Sequence, residues 1–78
     1  MPIAFVCVTT EPASMAEVLK ALKAVEEVEE AEMVYGIYDI IAKVKGDSIA
    51  SLRKIIIERI RKIDKVMATT TMMVVKSE

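Results

Sequence analysis

The hydrophobic pattern of the chain alternates between two periods. Runs in which every second residue, or nearly every residue, is apolar predict strands, and runs with apolar residues three or four positions apart predict helices. The strand pattern covers residues 3–9, 30–35, 40–45 and 66–75, and the helix pattern covers residues 15–25 and 49–63. The predicted order of elements is therefore βαββαβ.

The predicted helices also carry start signals. Ser14-Met15-Ala16-Glu17 fits a capping box, in which the serine caps the helix and the glutamate three positions later reaches back. This helix is expected to end between Val25 and Glu27. Gly46-Asp47-Ser48 ends the third strand and offers two N-caps, Asp47 and Ser48, for the second helix.

The stretch between the second and third strands needs a separate explanation. Gly36 marks a tight connection, because such a turn favours a residue that tolerates positive φ. Asp39 does not fit a strand, since aspartate is a poor strand former and here opens an otherwise apolar run. A carboxylate at the mouth of a hairpin is the starting point for a functional interpretation.

The element order predicts an α+β fold. Two βαβ-type halves joined by a hairpin form a ferredoxin-like plait, with a four-stranded antiparallel sheet and both helices on one face. The expected strand order is 4-1-3-2, with the first and third strands in the centre. All four strands are expected to carry apolar residues on both faces, so the face without helices predicts a dimer that packs sheet against sheet.

Length and composition support association. The 78 residues predict a single domain over residues 1–78, and a domain this small buries only about 60% of its unfolded surface. The chain is 54% hydrophobic, which favours an oligomer. It lacks Asn, Gln, His and Trp but is rich in charged residues, as in many thermophile proteins.

Several classes of function are disfavoured. The net charge of −1 gives no general attraction to nucleic acid. Without histidine there is neither an imidazole base nor a histidine metal site, and the single Cys7 lacks a partner as a nucleophile or for an internal disulfide. We expect no catalytic residue, metal site or cofactor. No signal peptide or twenty-residue apolar span is found, so we expect a cytoplasmic protein without a membrane anchor.

Three segments together resemble a known family. Gly36-Ile37-Tyr38-Asp39 opens the third strand, a helix follows Gly46-Asp47, and Thr69-Thr70-Thr71 lies in the closing strand. In sequence and element order the whole chain resembles the C-terminal effector domain, or RAM domain, of the Lrp/AsnC transcription regulators. The first strand begins at Ile3, so the chain looks like a stand-alone form without the helix-turn-helix domain of such regulators.

The resemblance implies a homodimer through the sheets, rings of dimers, and a small effector, usually an amino acid, bound between subunits. Direct DNA binding is not expected, and a full-length Lrp/AsnC regulator is a candidate partner for co-assembly. The family's binding features map onto Gly36, Tyr38 and Asp39 of the hairpin and onto Thr69 and Thr71 of the last strand.

Each of these residues also has a purely structural explanation. In the ligand interpretation Asp39 meets an ammonium group, the Gly36 turn and threonine hydroxyls meet a carboxylate, and Tyr38 forms a wall. Alternatively, Asp39 is a turn residue that bonds its own backbone, and Gly36 serves only the turn. Tyr38 would then be a half-buried packing residue, and the threonines would simply be good strand residues.

Charge runs and other functions also leave alternatives open. Glutamates cluster between residues 26 and 32, and the second helix is basic. The simpler explanation of both charged segments is two solvated faces with local ion pairs. The alternatives are charge complementarity between dimers and a surface for nucleic acid. An ACT-like amino-acid sensor, a purely structural assembly domain and a small cofactor-free enzyme remain alternative functions. Turnover that depends on Asp39 would indicate the enzyme.

Overall fold

The computed structural model describes residues 1–75, which form one antiparallel sheet and two helical segments. The sheet order is β2-β3-β1-β4 and every neighbouring pair is antiparallel, which confirms the predicted ferredoxin-like α+β fold with β1 and β3 central. The elements are β1 (Ile3–Thr10), α1 (Met15–Lys23), β2 (Val28–Met33), β3 (Ile40–Lys45), α2 (Ile49–Ile55), a π-helical turn (Ile56–Ile60) and β4 (Val66–Met73).

The core lies between the sheet and the helices. Alternate residues of the two central strands point toward the helices and are fully buried, as the period of two requires. The helices meet them with a buried stripe at helical spacing. The residues of this core cluster are Ala4, Val6, Val8, Val18, Leu22, Ala31, Ile40, Ala42, Val44, Leu52, Ile56 and Ile60.

The two predicted helix starts had different outcomes. Ser48 caps α2 as predicted, because its Oγ accepts a hydrogen bond from the backbone N–H of Ser51 at 3.0 Å. The capping box at Ser14 is wrong: the Ser14 hydroxyl donates instead to the Pro12 carbonyl at 3.4 Å and makes no cap bond. Helix α1 ends at Lys23, before the predicted range, and the chain turns toward β2.

The second helix changes its winding partway. After Ile55 it continues as a π-helical turn, in which the N–H of Arg61 donates to the carbonyl of Ile56 at 2.9 Å. The sequence pattern of apolar residues continues through this turn and gave no sign of it. A π turn changes which side chains share a face of the helix, and such turns occur frequently at functional sites.

The open face of the sheet differs from the prediction. Apolar side chains were expected there in all four strands, but β2 places Glu30 and Glu32 beside Lys43 and Ile41 of β3. Both glutamates are exposed, so their charges face solvent and the edge strand tolerates them. The apolar area is instead a narrower stripe along the middle of the face, which we call the open-face stripe: Ile3, Phe5, Cys7, Ile41 and Met72.

Candidate functional site

Asp39 is held by bonds to the end of β1. Its backbone N–H donates to the Val8 carbonyl and its carbonyl accepts from the Val34 N–H, both at 2.9 Å. Its carboxylate Oδ2 accepts from the Thr10 N–H at 2.8 Å and is 3.4 Å from the Thr10 hydroxyl. Within residues 1–75, Oδ1 makes no hydrogen bond. The carboxylate thus ties β3 to β1 with one oxygen and has capacity for a ligand at the other.

The connection that contains Asp39, residues 34–39, is named here the Asp39 loop. Gly36 has a φ of +153°, so a residue tolerant of positive φ is needed there, as the sequence predicted. Its neighbours Tyr35 and Ile37 are fully and almost fully exposed, with 107% and 87% of their surface accessible. Tyr38 is half-buried beside Asp39. The tip of the loop therefore presents apolar side chains to solvent.

Thr69 and Thr71 lie on the helix side of β4, each opposite a buried valine of β1. They face an open groove of about 480 Å³ between the second helix and β4, the strand at one edge of the sheet. We call it the β4 groove, lined by Arg53, Ile56, Ile57, Arg61, Thr69, Thr71 and Met73.

The structure divides the residues of the predicted site into two sets. Gly36, Tyr38 and Asp39 share the Asp39 loop, and Thr69 and Thr71 share the β4 groove. Strand β1 runs between the sets: Val8 pairs with Ile40 on one side and with Thr69 on the other. Two strand spacings amount to roughly 10 Å, and no residue of the Asp39 loop lines the groove.

Several residues at these two places were not predicted from the sequence. Thr10, the partner of Asp39, lies one residue beyond the predicted first strand, and nothing in the sequence indicated its bond to Asp39. Arg53, Ile57 and Arg61 are spaced by four residues, which is a helical-face signal. The two arginines were interpreted only as part of a basic helix, and Ile57 only as part of its apolar stripe. Met73 lies on the same face of β4 as Thr69 and Thr71, as the alternation of a strand requires.

The charged residues differ in whether they are paired. Glu29 pairs with Lys45 and Lys43, Glu27 with Arg59, and Glu17 with Lys65. The hydrogen bond and positive charge of Lys45, aided by Lys43, lower the pKa of Glu29 below its ordinary value. Among residues 1–75, Arg53 and Arg61 make no ion pair. The predicted local ion pairs thus exist, and the two groove arginines are outside them.

Other kinds of site are not supported in the described part of the chain. No three potential metal-ligating side chains come together between residues 1 and 75. Cys7 is a free thiol, 3% exposed, in a central strand. None of the helices formed by residues 1–75 has the length and apolar character needed to cross a membrane.

Comparison with known proteins gives a family and solved relatives. The family model for the Lrp/AsnC ligand binding domain matches residues 3–78. FFRP-DM1 is 40% identical with a TM-score of 0.92, and the match covers 96% of this chain and 100% of that one. AsnC of E. coli is 30% identical with a TM-score of 0.90, over 97% of this chain and 52% of that one.

A more distant likeness concerns the fold alone. The transcriptional regulator NMB0573 from Neisseria meningitidis, solved as a complex with L-Met, is 16% identical with a TM-score of 0.84, over 96% of this chain and 50% of that one. No curated protein gave a match. The family match, the identity to AsnC and the shared fold agree, and the chain belongs to the Lrp/AsnC ligand-binding domain family, which is related to transcription regulators.

Proposed function

We propose that this domain binds a small effector, an amino acid, in a site completed by two copies of the chain, and that binding changes how the copies assemble. The observation that carries the proposal is the division of the site residues between the Asp39 loop and the β4 groove. One chain keeps these sets apart, whereas the loop of one copy set against the groove of another brings them together.

Each set has part of the chemistry that an amino acid requires. The unbonded Oδ1 of Asp39 is an acceptor for an ammonium group. The hydroxyls of Thr69 and Thr71 are donors for a carboxylate. Tyr38, half-buried in the Asp39 loop, supplies an apolar wall in this proposal. The complex of NMB0573 with L-Met gives an example of an amino acid bound by a regulator with this fold.

The proposed assembly uses two surfaces. We propose that the open-face stripe forms a homodimer, sheet against sheet, since Phe5, Ile41 and Met72 of the stripe stay partly or largely exposed among residues 1–75. The exposed tip of the Asp39 loop then contacts a neighbouring dimer. A contact between two different surfaces closes into a ring when its rotation permits, which fits a ring of dimers.

The role that fits this assembly is regulatory. We propose that the domain acts in transcriptional or metabolic control in the cytoplasm, alone or co-assembled with a full-length Lrp/AsnC regulator that supplies DNA binding. We do not propose an enzyme, because the chain has no histidine and Cys7 is buried in the sheet between its strand partners Ile41 and Thr70. Coupling of binding to assembly requires only that the effector bind one state more tightly than another.

Light scattering on a sizing column, together with a thermal shift, tests the proposal. The purified protein is run alone and with each of the twenty amino acids. We expect one chemical class of ligand to change the molar mass or raise the melting temperature. A ring of constant mass that responds to none of them would instead favour a purely structural assembly domain.

A further inference from the structure

We infer that the effector is an acidic amino acid, bearing one ammonium and two carboxylate groups, and that Arg53 and Arg61 of the β4 groove select it. This inference rests on the proposed function, because it assigns a ligand class to the same composite site. It begins from two arginines that face one groove and have no acidic partner among residues 1–75.

The winding of the second helix brings the two arginines to the same groove. In an uninterrupted α-helix, side chains eight positions apart point in directions that differ by roughly 80°. The π turn over Ile56–Ile60 contains more residues per turn than an α-helix, which reduces this difference. Arg53, Ile57 and Arg61 consequently all line the β4 groove.

The groove has the composition of an anion site with an apolar floor. Two guanidinium groups and two threonine hydroxyls provide donors, and no acidic side chain of residues 1–75 lines the groove. Ile56 is buried, while Ile57 and Met73 are 44% and 38% exposed and offer contact to methylene groups. Guanidinium groups bind carboxylates through paired hydrogen bonds, so this surface is suited to more than one carboxylate oxygen.

The charge of the composite site then defines the ligand. The Asp39 loop contributes one negative charge, and the groove of the neighbouring copy contributes two positive charges. A zwitterionic amino acid balances Asp39 with its ammonium and one arginine with its carboxylate, and leaves the other arginine unpaired. A second carboxylate on the side chain pairs with that arginine. Unpaired charge in a partly closed site is unfavourable, so ligands with a net charge of −1 are preferred.

Isosteric ligand pairs test this inference by titration calorimetry. Glutamate is compared with glutamine, and aspartate with asparagine, because each amide has nearly the shape of its acid without the charge. We expect an acid to bind at least about tenfold more tightly than its amide, which corresponds to roughly 1.4 kcal/mol. A higher salt concentration is expected to weaken binding of the acid more than binding of the amide.

Variants of the basic helix assign the effect to specific residues. Arg53→Gln and Arg61→Gln are each expected to lower glutamate affinity about tenfold. The variant that removes the partner of the side-chain carboxylate is expected to change glutamine affinity little, whereas the variant that removes the partner of the α-carboxylate lowers glutamine affinity as well. Arg59→Gln is the matched control, since Arg59 is on the same helix but pairs with Glu27 and does not line the groove. Arg59→Gln is expected to change the affinity for glutamate only slightly.

The outcomes separate this inference from the function on which it rests. If amides or other zwitterions bind as tightly as the acids, and Arg53→Gln leaves affinity unchanged, the acidic class is wrong while the proposed function stands. If no amino acid binds or alters assembly, the proposed function fails and the acidic class fails with it. A loss of glutamate binding in Arg59→Gln equal to that in Arg53→Gln would also contradict the assignment to the groove.

Discussion

The Asp39 loop and the β4 groove both contain charged side chains, but only the charged side chain of the loop is bonded to the rest of the fold. The Asp39 carboxylate already has a structural role, since its Oδ2 accepts hydrogen bonds from the N–H and the hydroxyl of Thr10. Arg53 and Arg61 make no ion pair within residues 1–75 and line an open groove. We therefore expect a change at Asp39 to affect both folding and the proposed ligand binding, and a change at either arginine to affect only the proposed binding.

This difference shows how to separate structural roles from binding roles here. A buried donor that loses its acceptor costs free energy in every state of the protein, with or without ligand. A solvated guanidinium that loses a ligand costs nothing in the free protein. Stability measurements on the unliganded chain should thus rank the loop residues above the groove residues, and ligand affinity should respond to both.

Replacing Asp39 should give the largest loss of stability among the site residues. Asp39→Ala leaves the Thr10 N–H without its acceptor, and Thr10 is only 8% exposed. We expect the free energy of unfolding to fall by about 2 kcal/mol. Asp39→Asn retains an amide oxygen as acceptor and should lose less. Urea titration of both variants without ligand measures these losses. Equal stability of Asp39→Ala and the wild type would contradict the structural role of the carboxylate.

Gly36→Ala should have the next largest effect. The backbone φ of +153° is unfavourable for a residue with a Cβ, although open space surrounds the position. We expect a loss of about 1 kcal/mol from backbone strain alone, with no steric contribution. Comparison of its melting temperature with that of Ile37→Ala, an exposed neighbour with ordinary φ, provides the control. A loss in both variants of the same size would point to packing of the loop instead.

The groove arginines should have little effect on stability. Exposed side chains without ion pairs usually change the free energy of unfolding by less than about 0.5 kcal/mol when replaced. Arg53→Gln and Arg61→Gln are therefore expected to unfold at nearly the wild-type urea concentration. A loss comparable to that of Asp39→Ala would show that these arginines have structural partners, and the contrast between loop and groove would disappear.

Glu29 should contribute the smallest effect, which is visible only as a pH dependence. Its pKa is lowered in the folded protein by Lys45 and Lys43, so the unfolded state binds the proton more readily. The stabilisation is present above the ordinary value near 4.5 and is lost as the pH falls through the lower folded pKa. Glu29→Gln should make the acid side of the melting-temperature profile less steep; Glu17→Gln, at a more exposed pair, is the comparison.

The fold was predictable because the core obeys simple periods. Burial requires apolar residues at every second position of β1 and β3 and along the stripe of α1 that contains Val18 and Leu22. These spacings are visible in the sequence. The prediction of a capping box at Ser14 was wrong, because the serine hydroxyl donates to a competing acceptor, the Pro12 carbonyl. Local hydrogen bonds depend on the path of the loop, which a pattern of apolar residues does not specify.

The candidate site was predictable only in its parts. Gly36 and Asp39 attracted notice because each breaks a strand rule, but the bond from Asp39 to Thr10 depends on how β1 and β3 are paired. The β4 groove was missed because the π turn that aligns Arg53 with Arg61 has no signature in the apolar spacing. Features of register and winding belong to the assembled structure and not to any single segment.

The most direct test of the central claim is complementation between two defective chains. Asp39→Asn damages the loop half of the site, and Thr69→Val with Thr71→Val damages the groove half, so each protein alone should lose ligand binding. If one copy supplies the loop and another the groove, an equal mixture refolded together should regain roughly a quarter of the wild-type sites. Isothermal titration of the mixture measures that fraction. Recovery near a quarter supports a site shared between copies, and a mixture that binds no ligand, although the wild type binds it, would contradict the account.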